Sequence, residues 1–201
     1  MIVNRNQQGA TLVVAMVLLL VMSLIGLSSV VSSTLQEKMA SNAQQRTLAR
    51  AAAESGLAAA ERFIATQITA TSKLIQFNGD NTGYYSAYPV PGIILETKLA
   101  KQVTDLADAA DPSIWTAANS VEVDDLSSAV QSKKPRYTIE YVGRRSQSGI
   151  SVWSPSAVIE RGAPHIFKVT AIGWARDTAV YSVLQSYFMT GTGAGVFEYE
   201  E

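Results

Sequence analysis

The sequence predicts an α+β chain in which a long N-terminal transmembrane α-helix packs on a small C-terminal antiparallel sheet. Three observations carry this. A run without charge or proline extends from Ala10 to Val31. Helix-forming sequence continues from it, without a proline, to about Ile68. Alternating or β-rich stretches collect towards the C-terminus, at Tyr137, Ile139 and Tyr141 and over 165–175 and 178–189.

The apolar run, ATLVVAMVLLLVMSLIGLSSVV, makes about 33 Å of helix at about 1.5 Å per residue, enough for a hydrocarbon core of roughly 30 Å. Thr11, Ser23, Ser28 and Ser29 can return their hydroxyls to helix carbonyls and so tolerate lipid. Residues 1–9 are short and polar, and Arg5 is their one charged side chain. Together with the amino terminus it favours a cytoplasmic N-terminus. The run is too long for a secretory signal core, and helix-forming sequence rather than a turn follows it. A plain signal anchor fits equally well at this point.

From Ser32 to Ile68 the sequence is rich in Ala, Gln, Glu, Arg and Leu, and Gly56 is its one glycine. Leu35, Met39, Ala43, Ala49, Ala53, Leu57, Ala60, Ile64 and Ile68 recur at spacings near three and four, an amphipathic stripe. Arg50 and Glu54 are placed for an i,i+4 pair. A coiled coil would need Leu or Ile at both seam positions of a strict heptad, which is absent. Together the two segments, 10–31 and 32–68, form a helix of roughly 90 Å. One small domain cannot cover it; lipid, other copies or both must.

Residues 69–135 read as a variable α and loop region. Within it, 77–92 is loop-like, with Asn78-Gly-Asp-Asn-Thr-Gly83 followed by Pro89 and Pro91. Ile93–Ala110 reads as a helix with Leu95, Leu99, Val103 and Leu106 on one face, stopped near Pro112. The sheet is expected over 136–190, with Arg176-Asp177 as the hairpin turn. Residues 191–201 read as a flexible tail ending in Glu198, Glu200 and Glu201.

Composition excludes several function classes. The 16 Lys+Arg against 17 Asp+Glu give a net charge of −1, so no single-sign field is available to grip nucleic acid. Charged residues are only 16%, low for a fully soluble protein, which fits a chain with one face in lipid or against other chains. The absence of cysteine removes disulfides, thiolate metal sites and a Cys nucleophile. His165 is the one histidine, which leaves no serine triad or multi-histidine zinc site; an ordinary strand-edge role is expected. The Asn78–Gly83 segment lacks the alternating ligands and distal glutamate of a calcium loop, so a turn is expected. Asp105, Asp108 and Asp111 read as a solvated face, and Trp115, Trp153 and Trp174 as core or partner anchors. No catalytic residue, metal or cofactor is expected.

The N-terminus resembles a prepilin leader: a short charged segment ending in Gln7-Gln8-Gly9, then an uninterrupted apolar helix from Ala10. The stretches Gln8–Ala15, Leu35–Ala43 and Ala51–Glu61 are similar to those of the PilX-type minor pilins of type IV pili. So are Arg136-Tyr-Thr-Ile-Glu-Tyr141, His165–Trp174 and Val183–Phe188. The resemblance implies a type IV pilin-like fold, leader-peptidase cleavage between Gly9 and Ala10, and N-methylation of Ala10. It implies an inner-membrane protein with a periplasmic C-terminal domain, assembled into the extracellular pilus. It further implies as partners other minor pilins, the major pilin, the prepilin peptidase, the inner-membrane assembly platform and a tip adhesin, with the lipid bilayer around the span and no nucleic acid.

One departure is informative. Major pilins carry a glutamate at the fifth mature residue, and Val14 stands there in this chain. In the family that carboxylate pairs with the amine of a neighbouring subunit. A subunit with Val14 offers its own amine but seeks none above it, which suits a filament tip. The tip-type pseudopilin of type II secretion shares this absence and is the competing expectation, although that relative usually carries a large insertion in the soluble domain. A membrane-anchored sensor or enzyme is the expectation from a different class, and would need a pocket of convergent titratable groups.

Overall fold

A computed structural model describes residues 8–78, 80–87, 105–124, 131–146, 149–151 and 164–190. The chain divides into two units, Met1–Gln44 and Gln45–Glu201. Helix α1, Gln8–Gln67, begins in the first and ends in the second. It starts slightly earlier than Ala10 and stops one residue short of Ile68, as expected of a stretch with no proline to break it.

In the first unit α1 has no other described element against it. In the second, its buried stripe is Ala49, Ala52, Ala53, Gly56, Ala60 and Ile64, continued just past its end by Ile68. At the N-terminal end of the stripe Leu35, Met39 and Ala43 are exposed in the single chain, in the stretch that lipid or other copies would have to cover. Periodicity alone cannot say where along a helix its partner begins. Arg50 Nε donates to Glu54 Oε1 at 2.9 Å as expected, with both side chains more than half exposed. Such a pair adds only about 0.3–0.5 kcal/mol.

After α1 the chain makes a 3-10 turn, Thr71–Phe77, that buries Leu74 and Phe77. Among the described residues the sheet has six strands: β1 Tyr84–Ser86, β2 Val121–Glu122, β3 Arg136–Ser146, β4 Gly149–Ser151, β5 His165–Trp174 and β6 Tyr181–Met189. The main path is β1-β3-β5-β6, with β2 and β4 also paired to β3. All pairings are antiparallel except β1 with β3, which is parallel, so the sheet is mixed rather than antiparallel throughout. The connection between β5 and β6 is longer than a two-residue turn. It runs from Ala175 to Val180 and is closed by Ala175 N–H to Val180 O and by the Asp177 side chain accepting from Ala179 N–H. In β3 the register shifts between Tyr141 and Gly143, and Gly143 takes a φ of 121°, which a side chain would resist.

Alternation divides the sheet residues between two faces. Tyr137, Ile139 and Tyr141 of β3 and Phe167, Val169 and Ala171 of β5 pack with Ala60, Ile64, Ile68, Leu74 and Phe77 in one core. Ile172 and Trp174 lie on the opposite face with Tyr85, Ala109 and Trp115 in a second core. Phe77 bridges to Phe167 and Tyr84 at ring-centroid distances of 5.2 and 5.8 Å. Each large aliphatic removed from water here stabilises the fold by about 1.5–3 kcal/mol.

The helix lies closest to the sheet where both are smallest. A Cβ on Gly173 would sit 2.2 Å from Ala53 N, and one on Gly56 would sit 3.0 Å from Ala171 Cβ. Arg176 N–H donates to Gln45 Oε1. The contacts thus step back along β5 as they advance along α1. From residue 45 to 56 the helix rises about 17 Å, and from 176 to 171 the strand covers about the same. β5 is therefore antiparallel to this part of α1, while β3 and β6, each antiparallel to β5, run with it.

The variable region departs most from expectation. Most of the expected helix Ile93–Ala110, including Leu95, Leu99 and Val103, lies outside the described residues. Its last turn is a separate helix, α2, Leu106–Ala109. Asp105 caps it from an extended conformation (ψ 127°), so no helix passes through that residue, and Leu106 is exposed. Asp111 likewise caps the 3-10 turn Pro112–Ile114. Arg136 ties the region to the sheet: its guanidinium donates to Ser120 Oγ, Ser120 O and Glu122 Oε2 at 2.8–3.0 Å.

Candidate assembly interface

The surface that sets this chain apart is α1 itself. From Leu12 to Val31 its large apolar side chains are 44–69% exposed, as are Leu35 and Met39. An isolated helix side chain cannot be much more exposed than that, so nothing else in the described structure shelters it. The helix is long and apolar enough to cross a membrane. Ser23 Oγ donates to Leu19 O at 2.7 Å and Thr34 Oγ1 to Val30 O at 3.0 Å, so these hydroxyls impose no unpaired donor on an apolar surrounding. Chemically, the surface can bury itself in lipid or against other apolar helices and offers no reacting group.

The three residues singled out from the sequence all fall on this element. Gly9 and Ala10 lie in the first turns of α1, which is already helical at Gln8. Val14 lies a little further along and is 57% exposed, part of the same apolar surface. The structure does not bring the three together into a pocket; they share only their position near the start of one helix.

The titratable groups of the second unit hold the fold. His165 was expected at a strand edge; it instead opens the central strand β5 and is fully buried. Its Nδ1 lies 2.9 Å from the Tyr141 hydroxyl. Burial, reinforced by the Arg144 charge opposite it in the ladder, pulls the imidazole down to about 3. Burial pushes the Tyr141 phenol up, so the hydroxyl keeps its proton and can donate to the neutral ring. Lys168 pairs with Glu140 across the β3–β5 ladder. Hydrogen bonds from Ser113 hold the Asp111 carboxyl below its ordinary value, in keeping with its capping role. Asn78 and Asp80 bond to each other and Asn81 to Gln76 O, so these side chains fasten a turn. Trp115 and Trp174 are buried, Trp115 Nε1 donating to Ala109 O, while Trp153 lies outside the described residues.

The buried histidine predicts a pH dependence. Its folded pKa lies below the ordinary 6.5, so between about pH 6.5 and 3 the unfolded chain binds the extra proton. Stability is therefore complete above about 6.5 and falls as pH drops, by up to about 1.4 kcal/mol per unit. Between pH 7 and 5 the soluble unit should lose about 2 kcal/mol, and His165→Gln should flatten that slope even if it lowers stability throughout. Denaturant melts of both proteins at the two pH values check this; parallel slopes would refute it.

Two family descriptions match the chain: "PilX N-terminal" over residues 8–58 and "Type IV pilus assembly protein PilX C-term" over residues 41–190. Together they cover α1 and the sheet through β6. No curated protein and no solved structure matched it.

Proposed function

The chain belongs to the PilX family of type IV pilus assembly proteins, and on that premise we propose that it is a minor pilin that primes or helps assemble the pilus from a complex at the filament tip. The observation that carries this reading is the uncovered apolar surface of α1 from Leu12 to Met39. Burying that much side chain against lipid before assembly, and against neighbouring helices after it, supplies the driving force for both states. No reaction is assigned to the chain; its work is packing.

In this reading residues 1–9 are a leader, the prepilin peptidase cuts between Gly9 and Ala10, and Ala10 becomes the N-methylated terminus. The segment 10–31 spans the inner membrane, and the second unit stands in the periplasm until the subunit enters the pilus. Its partners are other minor pilins, the major pilin and the assembly platform, with a tip adhesin beyond. A gene deletion complemented by the wild-type chain tests the role: pili should disappear and return.

Val14 supports the tip position. The side chain belongs to the apolar surface, so Val14→Glu would place a carboxylate where lipid or helices must pack, at a cost of about 3 kcal/mol unless an amine answers it. A tip subunit has no amine above it. Val14→Glu should therefore reduce the number of pili per cell while leaving the melting of the soluble unit unchanged. Pilus counts by electron microscopy check this; wild-type numbers in the variant would remove the docking argument.

A further inference from the structure

β6 forms one edge of the sheet, and among the described residues no strand pairs with its outer side. The ladder to β5 fixes which backbone groups face outward. Thr190 N–H bonds to His165 O and Ala175 N–H to Val180 O, so the residues bonded to β5 are those in phase with Thr190 and Val180. Tyr181, Val183 and Tyr187 are out of phase and aim N–H and C=O away from the sheet. An uncovered edge invites strands of other chains, and proteins blunt theirs with a charge, a proline, a bulge, short length or a covering segment. β6 has none of the first four: it is nine residues long, reads YSVLQSYFM, and keeps an unbroken register with β5. Tyr187 is its most exposed side chain, at 61%.

The sequence itself supplies a covering segment. Residues 191–201, expected to be a flexible tail, lie outside the described residues. They follow β6 directly as Gly191-Thr-Gly-Ala-Gly195 and then Val196-Phe-Glu-Tyr-Glu200. Gly191, Gly193 and Gly195 allow the left-handed backbone angles that a tight reversal needs. The next residues alternate, with Phe197 and Tyr199 on one side and Val196, Glu198 and Glu200 on the other, the period of a strand with one sheltered face. We infer that 196–200 folds back as an antiparallel strand on the outer edge of β6, so that the chain caps its own edge. A loop over 191–195 is a common hairpin length and sets Tyr199 opposite Tyr187 and Phe197 opposite Met189. A loop shorter by one residue would set Glu198 opposite Tyr187 and turn both aromatics to the other face. The exposed Tyr187 ring selects the first register, which gives it an aromatic partner. Tethering selects the occupant. A strand joined to this edge by so short a link meets it at an effective concentration on the order of millimolar. A strand from a second copy, or from further back in the same chain, loses more entropy in reaching it.

The test uses the full chain in detergent. It contains no cysteine, so an introduced pair reports this ladder alone. Tyr187→Cys with Tyr199→Cys should oxidise to a disulfide within one chain, since opposed residues stand about 5.5 Å apart at Cα. Tyr187→Cys with Glu198→Cys, placed on opposite faces, should stay reduced. A disulfide between two chains, no disulfide, or equal oxidation of the two pairs would overturn the proposal. Amide hydrogen exchange reads the same contact without substitution. Tyr187 N–H should exchange at least about tenfold more slowly in the full chain than in one ending at Gly195. Val183 N–H, beyond the reach of 196–200, should exchange alike in both. Equal exchange at Tyr187 in the two chains would also overturn the proposal.

Discussion

Gly173→Ala should unfold the soluble unit more readily than any other single-methyl addition among the described glycines with ordinary backbone angles. The new Cβ would stand 2.2 Å from Ala53 N, 2.6 Å from Ala49 O and 2.6 Å from Ala52 C. These are backbone atoms of a helix, so no rotamer change relieves them. α1 must lift from β5, and the contacts of Gly56, Ala60 and Ile64 below it loosen. Overpacking costs typically about 1–3 kcal/mol, and a clash against rigid backbone belongs at the top of that range. With a domain stability of about 5–15 kcal/mol, a loss of about 3 lowers the melting temperature by about 10 °C. Gly56→Ala, whose Cβ would meet Ala171 Cβ at 3.0 Å, should lie between this and Gly26→Ala, which meets nothing within 4 Å. Near-UV circular dichroism of the full chain in detergent, following the buried Trp174, measures the order. Equal melting of all three would mean that the helix is not seated on the sheet as described.

Gly9→Val should leave the protein in the inner membrane and abolish its contribution to pili. If residues 1–9 are the leader proposed above, a valine side chain would crowd the position where the peptidase brings its catalytic carboxylates to the backbone, and the leader would stay attached. An uncut leader keeps Arg5 and several polar side chains on the end of a helix that must pack among apolar neighbours. Ser23, within the span, should behave differently: Ser23→Ala deletes a hydroxyl that bonds only to Leu19 O in its own helix and should preserve piliation. Complementation of a deletion strain, scored by pilus counts, reads both. Wild-type numbers from Gly9→Val would remove the leader assignment.

Much of the fold was legible because long-range patterns survive without tertiary context. The charge-free run and the absence of proline to Ile68 suffice for α1, and alternation at Tyr137, Ile139 and Tyr141 suffices for the core face of β3. The chain could not show where the helix meets its sheet. Leu35 and Met39 share a period with Ile64, yet face outward because no strand lies opposite them. Gly56 read only as the one glycine of the stretch; with Gly173 it permits the close approach. β1 was read as loop because it is three residues after a turn, and it is held by β3 rather than by its own propensity. Trp115 and Trp174 read only as core or partner anchors; that both are buried and close a second core on the far face depends on α2 and its caps. The candidate site was the most legible part, since an uncovered apolar helix is a property of sequence. The outer edge of β6 was not, because an edge exists only once strand order is known.

The most direct test of the central claim is the N-terminus of the protein purified with sheared pili. Mass spectrometry of the N-terminal peptide should find Ala10 as the first residue, carrying one methyl group on its amine, in a filament fraction that also contains the major subunit. A chain that still begins at Met1, or one absent from sheared pili and retained wholly in the membrane, would contradict the account.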